Sequence, residues 1–328
     1  MGGDHGPAVT VPAALYQLEK NHDLHMILVG RKEALDLMLG ENKFVANGRL
    51  RTLNATEVVE MHELPSLALR NKKDSSLRVA IEQVKDGVAD ACVSAGNTGA
   101  LMAIARFVLK MLPGIDRPAI CSIMPGISGD THLLDLGANV DSSPEQLFQY
   151  AVMGAELTSA LYNKPRPTVA LLNVGAEEIK GNENVKQAAA LLANSHLNYV
   201  GFVEGNDIFT GKVDVIVCDG FVGNIALKAS EGVAEFLMHN AREQFRMSLY
   251  GRLAALISMP ILKSIRRKID PRRYNGASLL GLRGIVIKSH GGADKISFGY
   301  AIEEALLEVQ KNIPHRISKE LHKLFPEG

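Results

Sequence analysis

The sequence predicts an α/β fold, a mostly parallel sheet with helices on both faces. Three observations predict it. Short β-branched or apolar runs alternate with stretches of helical periodicity along the whole chain. The runs are apolar almost throughout, as strands covered on both faces must be. Many of them leave through a Gly- and Asn-bearing loop that leads into a helix, the arrangement of βα units.

In chain order the strand candidates are "MILVG" (26–30), "ACVSA" (91–95), "AICSIM" (119–124), "HLLDLG" (132–137), "TVALLNV" (168–174), "VDVIVC" (213–218) and "GIVIKS" (284–289). Helices between them place apolar residues on one face, as Leu147, Phe148, Ala151, Val152 and Ala155 do, and again Phe298, Ile302, Ala305, Leu306 and Val309. The opening "MGGDHGPAVTVPAAL" has the composition of a strand exit whose strand is missing. With 328 residues, 46% of them apolar, the chain is read as one α/β domain over 1–328 carrying an amphipathic helical segment at about 235–275.

Composition narrows the function. Thirty-six basic residues balance thirty-six acidic ones, which argues against a nucleic-acid partner. Cys92, Cys121 and Cys218 each sit in an apolar run, so they are expected to be buried, reduced and cytoplasmic, with no disulfide frame. The first ten residues have neither the basic nor the apolar region of a secretory signal. No run of eighteen apolar residues offers a membrane span.

The exits carry the chemistry. "SAGNTGALM" (94–102), "DLGANVDSSPEQ" (135–146), "NVGAEEIKGNENV" (173–185), "CDGFVGNIALK" (218–228) and "KSHGGADK" (288–295) all run from strand to helix. In an open parallel sheet they would all emerge at one carboxyl edge, where ligands bind. Glycine lets a backbone approach a ligand closely, and helix N-termini offer unpaired N–H groups and partial positive charge. With Lys180, Lys228, Lys288 and His290 added, the loops are expected to form an anion site. Each feature also has a plainer reading. Asn97, Asn139, Asn182 and Asn224 are of the type that caps helices. Asp4, Asp135 and Asp219 sit where acids fix turns, and Glu177 and Glu178 suit a solvated surface.

Other anion and nucleophile sites are excluded. "GNDIFTGKV" (205–213) has the wrong spacing for a phosphate-binding P-loop, and no G-x-G-x-x-G opens a helix after a strand. HExxH and G-x-S-x-G are absent, and the ten histidines are scattered, so no metal is expected. Cys218 is either an acyl carrier or a buried thiol. What remains is Asn, Lys, His and backbone amides, which suit orienting two bound substrates without a covalent enzyme intermediate.

Taken together, "MGGDHGP", "VSAGNTGALMA", "LLDLGANVD", "LLNVGAEEIKGNE", "VEGNDIFTGKVDVIVCDGFVGNIALK" and "GIVIKSHGGAD" resemble the bacterial phosphate acyltransferase family, in the same order from Met1 to beyond residue 300. The resemblance implies transfer of a fatty acyl group from acyl carrier protein to inorganic phosphate, giving acyl phosphate for phospholipid synthesis. It also implies a fold similar to isocitrate and isopropylmalate dehydrogenases and to phosphotransacetylase, a homodimer, and no cofactor. Phosphate is already nucleophilic at neutral pH, so the site must hold it, stabilise the oxyanion and accept a thiolate. On this reading Gly96, Asn97, Thr98, Gly99, Asn139, Asn182, Gly220 and Gly223 bind phosphate or substrate. Asn224 and Lys228, four apart on one helical face, and Lys180 serve catalysis, with Lys180 or Lys228 pairing phosphate or steadying the thiolate. His5 and His290 are candidates to protonate the leaving sulfur. A phosphotransacetylase-like enzyme using acyl-CoA and a catalytically silent membrane-bound scaffold are the alternatives. The family usually opens with a strand ending in Asp ahead of the Met-Gly-Gly-Asp run. Here Met1 stands at that Met: either the numbering begins at an internal start, or, if the chain starts here, the sheet is expected to be a member short and the first loop poorly anchored.

Residues 242–273 hold nine Lys/Arg against Glu243 and Asp270, a net of +7 (9 − 2), while the whole chain is neutral. Leu249, Leu253, Leu256, Ile257, Ile261, Leu262 and Ile265 follow helical spacing, with Pro260 expected to interrupt the helix or start another. Such a segment suits an anionic membrane surface or an acidic carrier protein, and equally a dimer interface with a basic rim. In the family this region projects from the dimer, and some members bind membranes peripherally.

Overall fold

The computed structural model describes residues 1–324, without the side chains of 265–269 and 271. The first half contains α1 (Pro7–Lys20), β1 (Met26–Gly30), α2 (Lys32–Leu39), α3 (Lys43–Ala46), β2 (Leu50–Asn54), α4 (Pro65–Asn71), α5 (Ser76–Lys85), β3 (Ala91–Ser94), α6 (Thr98–Leu109), β4 (Ala119–Met124), β5 (Thr131–Leu134) and α7 (Pro144–Tyr162). The second contains β6 (Thr168–Leu172), α8 (Glu183–Ala193), β7 (Asn198–Val203), β8 (Val215–Val217), α9 (Gly220–Arg246), α10 (Leu249–Ile269), β9 (Ala277–Leu280), β10 (Ile285–Lys288), α11 (Lys295–Lys311) and α12 (Ile313–Leu324).

Eight strands form one sheet in the order β3-β10-β9-β4-β5-β8-β6-β7, while β1 and β2 pair apart from it. β10 is parallel to β3, and β5, β8, β6 and β7 are parallel to one another. Between these groups β9 and β4 are antiparallel to each other, and to β10 and β5 respectively. Three reversals leave the two parallel groups pointing in opposite directions. The expectation that all loops share one carboxyl edge is therefore corrected: β3 and β10 open at one end of the sheet, and β5, β6 and β8 at the other. Connection length is the physical reason. Six residues join β4 to β5 and four join β9 to β10, whereas a parallel crossover takes about a dozen.

Apolar strands face two layers. On one side Tyr150, Met153 and Leu157 of α7 pack with α8 and α12 against Leu134, Val169, Leu171, Val215 and Val217. On the other, Ile81 of α5 and Leu101 and Ile104 of α6 cover Cys92, Ile120, Leu133, Ile216 and Val286. Leu133 and Leu134 thus serve opposite faces, and each such side chain stabilises by about 1.5–3 kcal/mol when buried. α7 is fixed at its start by a Ser143–Gln146 capping box with Pro144 in the first turn, and it stops at Asn163 in the left-handed region.

A cavity of about 700 Å³ separates β1 from β3, lined by both strands and by residues of α1, α5 and α11. The opening loop beside it is tied down, against expectation. The Met1 ammonium donates to Ser76 Oγ at 3.0 Å, Ser76 Oγ donates to the Met1 carbonyl at 3.0 Å, and Asp4 N–H donates to Gly291 O at 2.9 Å.

α9 and α10 pack on each other. α9 buries only Gly220 and Gly223, at its start, and α10 buries none of its described side chains. Pro260 lies inside α10, which corrects its expected role. The chain breaks earlier, at Ser248, whose Oγ accepts the Gly251 N–H at 2.9 Å and caps α10. The Ile265 side chain lies outside the described residues.

Two carboxyls one turn apart on α11 face the sheet. Burial pushes Glu308 up to about 8, with Glu304 adding to it, and burial pushes Glu304 up to about 7. Both stay protonated in the folded chain at pH 6, whereas the unfolded groups ionise near 4.5. Their stabilising contribution is thus complete below about pH 4.5 and is lost as pH rises through 7 and 8. Glu308→Gln keeps the shape and a partner for Ser278, so it should raise Tm over wild type more at pH 8.5 than at pH 5. Equal Tm differences at the two pH values would refute this.

Candidate active site

The site grows from a buried carboxylate. Asp135 follows β5 and accepts four N–H bonds: Ile120 N at 2.9 Å, Ala138 N at 3.0 Å, Asn139 N at 2.7 Å and Asn139 Nδ2 at 3.0 Å. Burial raises its pKa against the pull of those donors. Asn139 spends its other amide hydrogen on Pro118 O at 2.8 Å. Asp135 and Asn139 therefore shape the loop, and the side chain expected to bind substrate at Asn139 is fully engaged.

α9 starts against this loop. Asp219 caps it, accepting the Val222 N–H at 2.8 Å, and Gly220 N–H donates to Asn139 O at 2.8 Å. A Cβ on Gly220 would lie 2.3 Å from Asn139 O, and one on Gly223 would lie 1.9 Å from Asp135 O. The two glycines thus answer to loop-on-helix packing, which the sequence reading assigned to phosphate. Close packing leaves the α9 N-terminus open at Phe221, whose first-turn N–H has no helical acceptor. Asn224 is exposed one turn on, beside Gly137, and its amide makes no hydrogen bond among the described residues.

The loop after β6 adds Lys180 and Asn182. Lys180 is half-exposed and faces Glu177 across a loose 3.9 Å. Asn182 caps α8, accepting the Val185 N–H at 2.9 Å, and lines a common pocket with Asp219 and Phe221. Lys228 is held more firmly, by Glu231 at 2.7 Å. Cys218 is buried, its thiol pushed well up by burial and then by Asp219 and Asp135. It is the buried thiol of the two readings.

The remaining expected residues lie at the opposite end of the sheet. Ser289 N–H donates to Ser94 O at 2.8 Å, and a Cβ on Gly2 would sit 3.2 Å from the Gly96 Cα. These contacts gather the opening loop, the β3 exit and the β10 exit. Asn97 is 7% exposed and wholly committed. Its Oδ1 accepts the Ala100 N–H at 3.0 Å, and its Nδ2 donates to the carbonyls of Glu60, Met61 and Glu63 at 3.1, 3.0 and 2.9 Å. It holds the 60–63 loop on α6 and has no donor to spare, so its expected contact with substrate is corrected. Thr98 and Gly99 open α6 with first-turn amides, and Gly99 abuts Pro65. His5 is exposed, and His290 accepts the Gly292 N–H on Nδ1 at 3.1 Å.

Lys180 and Asn182 thus follow β6 and Asn224 follows its neighbour β8, while His5 and His290 belong to loops at the other end of the sheet. Lys228 of α9 comes within electrostatic reach of Lys288. Lys288 is 9% exposed; burial lowers its pKa to about 8, Asp4 raising it and Lys228 lowering it. Its Nζ donates to Ser289 O. The lone Lys of an otherwise apolar strand was its signal. Among the described residues no set of three or more His, Cys, Asp or Glu is placed to hold a metal, and no helix is long and apolar enough to cross a membrane.

The family model described as "Fatty acid synthesis protein" matches residues 1–316. A phosphate acyltransferase of Methylococcus capsulatus is 61% identical over 325 residues, covering 99% of this chain and 96% of that protein. The chain belongs to the phosphate acyltransferase family. It is an acyltransferase. Another family member, from Nitrosococcus oceani, is 56% identical over 328 residues, covering 100% of this chain and 96% of its own. Among solved structures a branched-chain phosphotransacylase from Enterococcus faecalis shares the fold, with a TM-score of 0.58 at 14% identity over 94% of this chain and 97% of that one. A Streptococcus pyogenes phosphotransacetylase gives a TM-score of 0.55 at 16% identity, over 92% of this chain and 99% of its own.

Proposed function

We propose that this acyltransferase moves a long-chain fatty acyl group from acyl carrier protein to inorganic phosphate, giving acyl phosphate for phospholipid synthesis. The observation that carries the reading is an uncommitted amide, Asn224 near the open start of α9, and a loosely paired cation, Lys180 on the exit of the neighbouring strand β6. A phosphate oxygen forms a bond to the thioester carbonyl carbon. Asn224 and the Phe221 N–H receive the oxyanion, which collapses as the carbon–sulfur bond breaks and its electron pair leaves on sulfur. Lys180 holds the phosphate. The thiolate takes its proton from water, because His5 and His290 belong to the other cluster. The names of the relatives support the phosphate acceptor.

The assay is hydroxylamine-trappable acyl phosphate from long-chain acyl carrier protein plus phosphate, run beside acyl-CoA. Product from the carrier-protein donor is expected. No trappable product from either donor rejects the reading.

The protein works as a homodimer in the cytoplasm, and the α9–α10 hairpin projects to meet the inner face of an anionic membrane. Support comes from the +7 charge of 242–273 and from Leu256 and Ile257, which are 66% and 73% exposed. Leu256→Glu with Ile257→Glu is expected to abolish flotation with anionic liposomes. Equal flotation of variant and wild type removes the membrane contact, and a monomer in sedimentation removes the dimer.

A further inference from the structure

The loop that leaves β6 is gathered at its neck. Asn173 Nδ2 donates to Lys180 O at 3.1 Å and draws the two ends of 174–180 together. Gly181 follows with φ +95°, where a Cβ would lie 2.2 Å from Asn173 Oδ1. Surface loops of this size with joined ends are frequently functional. Beyond the neck this one is free: among the described residues, 174–179 make no hydrogen bond or salt bridge outside 173–180.

Its apolar side chains stand in water, Ile179 at 82% exposure and Val174 at 77%. A second uncovered apolar set flanks Asn224 on the first turns of α9, with Phe221 59% and Ile225 50% exposed. The two sets are neighbours. β6 and β8 pair in parallel, their exits lead into the loop and into α9, and Asn182 at the loop's end lines one pocket with Phe221. Covering one set with the other is favourable. Lys180 supplies a trigger, as the one cation of 174–181, set 3.9 Å from Glu177 and open to a stronger anionic partner.

A cover matters to this chemistry. Water competes with phosphate at a thioester carbon: its oxygen bonds to that carbon, the carbon–sulfur bond breaks with its electron pair leaving on sulfur, and fatty acid and thiol result. An open site leaves that route unopposed. We infer that loop 174–181 is a lid which, once Lys180 holds phosphate, seats Ile179 and Val174 on Phe221 and Ile225 and shuts water out. Ile179 and Val174 thereby set the choice of nucleophile. The inference rests on the acyl-transfer reading above, which makes Lys180 the phosphate holder.

The chain has no tryptophan, so Ile179→Trp supplies a single reporter at an exposed position. Its emission is followed in the full chain as inorganic phosphate is added, with and without long-chain acyl carrier protein. Closure is expected to move the emission to shorter wavelength, and Lys180→Ala to abolish the move. The second variant joins Val174→Ser to Ile179→Ser, both exposed, and its Tm should match wild type. Thiol released in excess of trapped acyl phosphate measures hydrolysis, and in this variant it is expected to rise about tenfold. An emission that phosphate leaves unmoved, alone and during turnover, overturns the lid. So does emission already at short wavelength before phosphate, which means that another surface, a second copy included, covers Ile179. A wild-type ratio of thiol to acyl phosphate in the serine variant overturns it as well. Failure of the acyl-transfer reading looks different: no donor yields acyl phosphate, yet phosphate still moves the tryptophan emission.

Discussion

Asn224→Ala is expected to lower turnover by about 10²-fold, the loss that follows removal of one preorganised oxyanion donor. Its Tm should stay close to wild type, because the side chain is exposed and makes no hydrogen bond among the described residues. Alanine is also the better helix former at such a position. Asn97→Ala provides the contrast. It strands three carbonyls and the Ala100 N–H at a 7% exposed position, so it should act through stability. Full turnover in Asn224→Ala would remove the α9 N-terminus from the chemistry.

Gly223→Ala should unfold the site from beneath. The added Cβ would lie 1.9 Å from the Asp135 carbonyl oxygen and 2.9 Å from Cys218 Sγ. Neither neighbour can step aside easily. The Asp135 carboxylate is tied to Ile120, Ala138 and Asn139, and Cys218 closes the β8 ladder with an N–H to Leu134 O at 2.8 Å. Overpacking against such a frame costs about 3 kcal/mol. For a chain of this size that is a fall of roughly 5 °C in Tm. Activity should drop with it, since the first turn of α9 must shift. A variant melting with wild type would mean that α9 does not start where the structure puts it.

Much of the fold was legible because burial writes itself into composition. "MILVG" and "AICSIM" became β1 and β4 to the residue, "HLLDLG" missed Thr131 at the start of β5 and ran three residues past its end, and the other apolar runs contained their strands with one to three residues to spare. β2, β7 and β9 escaped. "LRTLN" and "NYVGFV" mix polar residues or glycine into strands near an edge, and "ASLL" is four residues with no β-branched side chain. Strand direction was the larger omission. Loop composition says nothing about which end of a sheet a loop occupies, yet the short gap after "AICSIM" already required a reversal, and the one before "GIVIKS" stayed hidden with β9. The site was legible to the same degree. Residue types pointed to the right loops, but only geometry separates a committed Asn97 or Asn139 from an uncommitted Asn224.

α9 is clamped at Gly220 and Gly223, rests Ala226 and Leu227 on the core and is mostly exposed beyond Ser230, so it behaves as a lever with its fulcrum at one end. At 1.5 Å per residue, Asn224 stands about 6 Å from that fulcrum and Arg246 about 39 Å. A 4 Å swing of the far tip therefore carries Asn224 by only about 0.6 Å. The outer end can ride on a fluctuating support while the amide beside Gly137 keeps its aim.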